Sequence, residues 1–287
     1  MTPIVQSFFD AQTYTYSYVV QDPSTDNCAI IDSVLDYDPA TGKTSTINAD
    51  KIITWIRDKG LNVEWILDTH IHADHLSAMQ YLKRELGGET AIGEDVGSVQ
   101  ETFGSLFNAE SGFSLKGDQF DRLFSDGCRF RIGNLSARAL HTPGHTPACV
   151  TYVFNSVAFV GDTLFMPDYG TARTDFPGGD AAALYLSIKR IFALPEDTIL
   201  YLCHDYGTAT RDKLCNQTTV AEQRSNNIHI RDGVSAAEFV VCRESRDADL
   251  AAPRLLLPSV QYNMRAGHLP PAESNGTHYL KIPVRNQ

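Results

Sequence analysis

Positive charge is scarce in this chain: 24 Lys and Arg stand against 35 Asp and Glu, a formal net charge of −11. That balance disfavours nonspecific binding to nucleic acid or anionic lipid and points to a small-molecule substrate, although a local basic pocket can still attract an anion. No apolar run reaches membrane-spanning length, and Met1-Thr2-Pro3-Ile4-Val5-Gln6 lacks the basic and apolar parts of a secretory signal. A cytoplasmic protein with no membrane partner is therefore expected. Cys28, Cys128, Cys149, Cys203, Cys215 and Cys242 contain no CxxC pair, which fits reduced core thiols better than a disulfide framework. There is also no repeat, low-complexity tract or linker to divide the 287 residues. With 43% hydrophobic residues, one layered α/β domain over 1–287 is expected, with a tail from about 257 packed on it.

What is present is a series of short apolar runs ending at polar clusters. Ser7 to Val20, with Tyr14, Tyr16 and Tyr18, reads as strand, and so does Cys28-Ala29-Ile30-Ile31, which ends at Asp32. Ile52, Ile53 and Ile56 give 49–59 a helical spacing, and Val63 to Leu67 reads as a buried strand. His75 to Leu86 reads as a helix closed by Gly87-Gly88. Residues 97–119 have weak periodicity and read as a surface excursion. Strands are expected at 129–132, 136–140, 148–154, 156–160 and 198–203, with helices at 181–192 and 220–227. The tail from Leu257 to Arg285 reads as packed but irregular.

The chemistry concentrates in four places: Thr69-His70-Ile71-His72-Ala73-Asp74-His75, Thr142-Pro143-Gly144-His145-Thr146, Gly161-Asp162-Thr163 and Cys203-His204-Asp205-Tyr206. His70 and His72 are two apart on an extended segment, so their imidazoles project to one side. A lone histidine is usually a surface group or a hydrogen-bonded core group. Five histidines and two aspartates, each where a strand passes into a loop, are hard to explain by packing. Imidazoles and carboxylates suit borderline divalent metals such as zinc or iron, and seven such groups exceed the needs of one ordinary site. His141, before the Pro143-Gly144 turn, reads as a supporting residue. His229, His268 and His278 have no partner pattern and read as ordinary.

The run His70-x-His72-x-Asp74-His75 with His145, Asp162 and His204 resembles the metallo-β-lactamase superfamily over nearly the whole chain. That resemblance implies a four-layer αβ/βα sandwich of two mixed sheets flanked by helices. The flanking residues most resemble persulfide dioxygenases: Asp68 to His75, Pro143 to Thr151, Ala172-Arg173-Thr174-Asp175-Phe176, His204-Asp205-Tyr206 and Asn263-Met264-Arg265. Glyoxalase II shares Gly161 to Phe165 but continues differently at 173–176 and tends to carry Glu where Asp205 stands. Some persulfide dioxygenases have a cysteine where this chain has Ala266, so no role for that thiol carries over.

For a persulfide dioxygenase the resemblance implies one Fe(II) per chain, held by His70, His145 and Asp162. His72, Asp74, His75 and His204 then orient ligands and set the charge of the site. The expected reaction oxidises the outer sulfur of glutathione persulfide with dioxygen, giving sulfite and glutathione. Arg173 is the first candidate for a substrate-facing charge and Tyr206 a second; the alternative for Arg173 and Asp175 is an ion pair that supports the metal loop. In the glyoxalase II-like alternative, two zinc ions use His70, His72 and His145, and Asp74, His75 and His204, with Asp162 bridging, and the substrate is a thioester. The expected assembly is a homodimer, with no nucleic-acid partner.

Overall fold

The computed structural model describes residues 2–284; Met1 and 285–287, at the ends of the expected domain and tail, lie outside the described residues. The first half runs β1 (Ile4–Asp10), β2 (Thr15–Gln21), β3 (Asn27–Ile31), β4 (Val34–Asp38), β5 (Lys43–Ser45), α1 (Ile47–Lys59), β6 (Asn62–Leu67), β7 (Leu76–Ser77), α2 (Met79–Leu86), β8 (Glu89–Gly93), α3 (Val96–Leu106) and β9 (Arg122–Phe124). The second continues with β10 (Arg129–Ile132), β11 (Leu135–His141), β12 (Val150–Phe154), β13 (Val157–Phe159), α4 (Ala181–Phe192), β14 (Ile199–Tyr201), β15 (Gln217–Thr219), α5 (Val220–Asn226), α6 (Ala236–Asp247) and α7 (Leu256–Asn263). One six-stranded sheet has the order β1-β2-β3-β6-β8-β9, the other β10-β11-β12-β13-β14-β15, and β5-β4-β7 forms a small third sheet.

Three cores separate four layers, giving the expected αβ/βα sandwich. Tyr16, Tyr18, Val20, Ala29 and Ile31 of the first sheet meet Val150, Tyr152, Phe154, Val157 and Phe159 of the second. The alternate residues turn away: Val19, Cys28 and Ile30 pack with Ile52, Ile56, Met79 and Val99 of the first helical layer. Val153 and Ala158 pack with Leu184, Ile188 and Phe239 of the other. Strands covered on both faces read as continuous apolar runs, which is why their period of two is hidden in sequence.

Several sequence expectations need correction. Ser7 to Val20 is a hairpin, not one strand, with β1 paired antiparallel to β2 and Tyr14 at φ 56° in the turn. The helix expected from His75 begins only at Met79, because Leu76–Ser77 pairs with Val34–Leu35. The excursion at 97–119 contains α3, whose Val96, Val99 and Phe103 are buried. Its interior Gly97 and Gly104 masked the helical pattern. The tail starts with a true helix, α7, buried through Val260 and Tyr262. Asp180 caps α4 through Ala183 N, and Ser235 with Glu238 forms a reciprocal cap on α6, a helix the periodicity did not reveal.

Candidate metal centre

The polar clusters meet where the two sheets end. His70, His72 and His75 lie in the loop after β6, His145 between β11 and β12, Asp162 just after β13 and His204 after β14. Gly161, at φ +54°, makes this approach possible: a Cβ there would lie 2.5 Å from Thr69 Oγ1. Gly144 is pinned similarly, because its Cβ would meet the backbone of Leu184 at 2.4 Å.

Four of the histidines are held by one ring nitrogen and present the other to the centre. His72 Nε2 is 3.0 Å from Asp32 Oδ1, a carboxylate that also accepts from Thr69 N at 2.7 Å and Thr69 Oγ1 at 3.0 Å. His70 Nδ1 is 3.0 Å from the same Thr69 hydroxyl. His145 Nδ1 donates to the Arg173 carbonyl at 2.9 Å, and His204 Nδ1 to the Tyr14 carbonyl at 3.2 Å. An acceptor on the outer nitrogen fixes the tautomer and leaves the inner lone pair free for a cation.

The inward atoms are unsatisfied. His70 Nε2, His72 Nδ1, His75 Nε2, His204 Nε2 and Asp162 Oδ1 are buried without a hydrogen-bond partner. Such convergence would be costly unless a cation sits among the atoms, and it fits a metal centre. Ligand atoms of His70, His145 and Asp162 lie within 4.8 Å of one another, and those of His72, Asp74, His75 and His204 form a neighbouring group on the same criterion. Asp162 joins the two: Oδ2 is 3.7 Å from His70 Nε2 and 3.6 Å from His145 Nε2, while Oδ1 is 3.3 Å from His204 Nε2. Burial, then the neighbouring His72, holds His70 well below the usual imidazole range, and burial with His75 does the same for His72. Both therefore stay neutral, as ligation requires. Burial opposes the charge on Asp74, but His204 and His75 outweigh it and hold this carboxyl low.

The centre opens into a cavity of about 370 Å³ lined in part by Asp74, His145, Asp162, Phe165, Tyr169 and Tyr206. Tyr206 stacks on His204, with ring centroids 5.6 Å apart at 14°, and adjoins Tyr169 at 5.3 Å. Arg173 also borders the cavity, but all three guanidinium nitrogens are engaged: Nε and Nη2 each donate to Asp175 at 2.6 Å, and Nη1 to the Ala251 carbonyl at 2.8 Å. His141 lies at the surface between Asp95 and the Pro147 carbonyl. His229 is not ordinary. It is buried on the cavity wall, with Nδ1 accepting from Thr171 N at 3.1 Å.

Sequence reasoning did not single out Asp32 or the role of Asn263. Asp32 ends a strand at φ +52°, a conformation costly for a non-glycine residue, and its carboxylate orients the loop of His70 and His72. The only signal was a carboxylate closing an apolar run. Nothing local marks the His229 ring, whose Nδ1 partner Thr171 is 58 positions away.

A family model described as the metallo-beta-lactamase superfamily matches residues 11–204. The chain is 54% identical over 290 residues to a probable metallo-hydrolase of Burkholderia pseudomallei, covering 98% of each. It is 31% identical to the human mitochondrial persulfide dioxygenase ETHE1, over 92% of this chain and 89% of that protein. Among solved structures, ETHE1 of Myxococcus xanthus aligns with a TM-score of 0.73 and 28% identity, over 92% of this chain and 100% of that one.

Proposed function

The chain belongs to the metallo-beta-lactamase superfamily, and on that footing we propose that it is an iron-dependent persulfide dioxygenase acting on glutathione persulfide. The observation that carries this reading is the convergence of His70, His145 and Asp162, whose ligand atoms lie within 4.8 Å of one another. Two imidazoles and one carboxylate leave neighbouring positions free, the donor set associated with non-haem iron oxygenases. His72, which a three-histidine zinc site would add, falls with Asp74, His75 and His204 instead. The similarity to the human persulfide dioxygenase supports the same reading.

Iron(II), held by His70, His145 and Asp162, would supply adjacent positions for the persulfide sulfur and dioxygen and a route for electrons between them. The balance is one glutathione persulfide, one dioxygen and one water giving one glutathione and one sulfurous acid, which ionises to sulfite. The outer sulfur loses four electrons and dioxygen gains them. Around that centre the protein orients and shields. Thr69 and the Arg173 carbonyl fix the rings of His70 and His145. His204, beside Asp74 and Asp162, would set the orientation of the Asp162 carboxylate. Tyr206, Tyr169 and Phe165 form an aromatic wall that limits water.

A second reading is favoured by a specific observation: the second donor group adjoins the first, and Asp162 can serve both. In a dinuclear zinc thioester hydrolase of the glyoxalase II type, this geometry would activate water for attack on a thioester carbonyl. The name of the Burkholderia relative fits such chemistry. Oxygen consumption with glutathione persulfide, run beside thioester hydrolysis on the same iron-loaded and zinc-loaded preparations, tests the two. Oxygen uptake with iron and little hydrolysis with either metal is expected; hydrolysis by the zinc form without oxygen uptake by the iron form would overturn the first reading.

A further inference from the structure

The cavity has two chemically different walls. Its acidic lining residues, Asp74 and Asp162, belong to the metal centre, whereas α6 and the segment after it contribute Arg243, Arg246 and Arg254. Arg243 is occupied: Nε and Nη2 donate to Asp247 at 3.0 and 2.7 Å, and Nη1 to the Thr171 carbonyl. Arg173 is occupied by Asp175 and Ala251. Arg246 and Arg254 differ. Both are exposed, both line the cavity, and among the described residues neither guanidinium makes a hydrogen bond or an ion pair. Arg254 also borders a small recess containing Asp10 and Asp36. Those carboxylates are already satisfied, Asp10 by Gln12 N, Thr13 and Asn48, and Asp36 by Asn48 N and Nδ2.

Two unpaired guanidiniums on the wall of the catalytic cavity are informative in a chain whose net charge is −11, which otherwise repels anions. A planar fork with free donors is suited to two oxygens of one carboxylate or phosphate. We propose that Arg246 and Arg254 are specificity-determining residues that hold an anionic oxygen group on the carrier arm of the substrate, remote from the sulfur that reacts at the metal. The inference deepens the reading above and relies on it for the position of that sulfur. It requires the preferred carrier to be an anionic thiol rather than a neutral one. A peptide thiol would supply carboxylates; a nucleotide thiol would supply phosphates.

The test uses inert thioethers, so that binding is read without turnover. Metal-loaded wild type, Arg246→Gln, Arg254→Gln and the double variant are titrated calorimetrically with S-methylglutathione, its dimethyl ester and S-methyl coenzyme A. For the anionic carrier that binds, Kd is expected to rise about three- to tenfold per arginine, and Arg246→Lys to restore part of the loss. The dimethyl ester should bind wild type about as weakly as the free acid binds the double variant if the peptide arm is the ligand. Coenzyme A showing the arginine dependence instead would assign the same residues to phosphate. In steady state the loss should fall on KM more than on kcat, and it should shrink as ionic strength rises. Unchanged Kd for both anionic carriers in the double variant, or an equal loss with the ester, overturns the assignment. Because binding is measured separately, arginine-dependent binding without oxygen uptake would remove the dioxygenase reading and leave this one standing. Oxygen uptake indifferent to both arginines would do the reverse.

Discussion

Asn263 binds the backbone of His72: its Nδ2 donates to the His72 carbonyl at 2.8 Å and to that of His75 at the same distance, while its Oδ1 accepts from Ser77 N at 2.8 Å. The end of α7 thus clamps the loop carrying four of the seven metal-centre residues. Asn263→Ala would leave one donor and two acceptors buried without partners. A loss of about 2–4 kcal/mol is expected in thermal or denaturant unfolding. Metal affinity, measured by competition with a chelator, should fall roughly 10–100-fold, the usual effect of removing a group that orients ligands. Unchanged metal affinity with lowered stability would confine Asn263 to a purely structural role.

The proposed iron site predicts about one iron per chain in protein made under iron-replete conditions, by the coordination logic of a two-imidazole, one-carboxylate face. Elemental analysis on the same sample that consumes oxygen decides the matter. Two tightly held zinc ions per chain would favour the hydrolase.

Substitutions separate the two donor groups. His145→Ala and Asp162→Ala should abolish iron binding and oxygen uptake together. His204→Ala should keep most of the iron and lose activity by roughly 10–100-fold. If all three lose metal equally, the centre is dinuclear.

All three guanidinium nitrogens of Arg173 are engaged, and its carbonyl holds His145. Arg173→Lys keeps the charge but loses the two-pronged contact with Asp175, so about 1–2 kcal/mol of stability should be lost, since this pair is only partly shielded from water. Metal affinity should fall with it as the His145 ring loosens. A drop in activity with stability and iron content both intact would instead make Arg173 a substrate contact.

His229 predicts a pH dependence. Burial, followed by the nearby Arg243 and Arg246, pushes its pKa down from 6.5 to about 4. The unfolded chain therefore binds the proton more readily, and the contribution to stability is complete above pH 6.5 and lost as pH falls towards 4. It amounts to at most about 3 kcal/mol. Melts of wild type and His229→Gln across this window should converge as the pH drops. Parallel curves would count against a buried, neutral His229.

Much of the molecule was legible because its determinants are local. The apolar runs of β3, β6 and β12 and the Ile52, Ile53, Ile56 spacing of α1 fix elements through burial periodicity alone. The convergence of the seven residues of the candidate metal centre was legible because ligation would demand particular side chains at strand ends, and those leave a pattern in one dimension. The elements misread were decided by partners far away in sequence. Leu76–Ser77 became strand because Val34–Leu35 lies beside it, and α3 and α7 are helices because their apolar faces are buried in one shared core, despite glycines in one and a proline in the other. Tertiary structure alone set Asp32 against His72, brought Asn263 onto the metal loop and joined the Arg173 fork to Asp175 and Ala251. It also left the Arg246 and Arg254 guanidiniums on the cavity wall without a partner among the described residues. Residue types and spacing specify what a side chain can do, but only the packed chain determines which acceptors its donors meet and which remain free for a ligand.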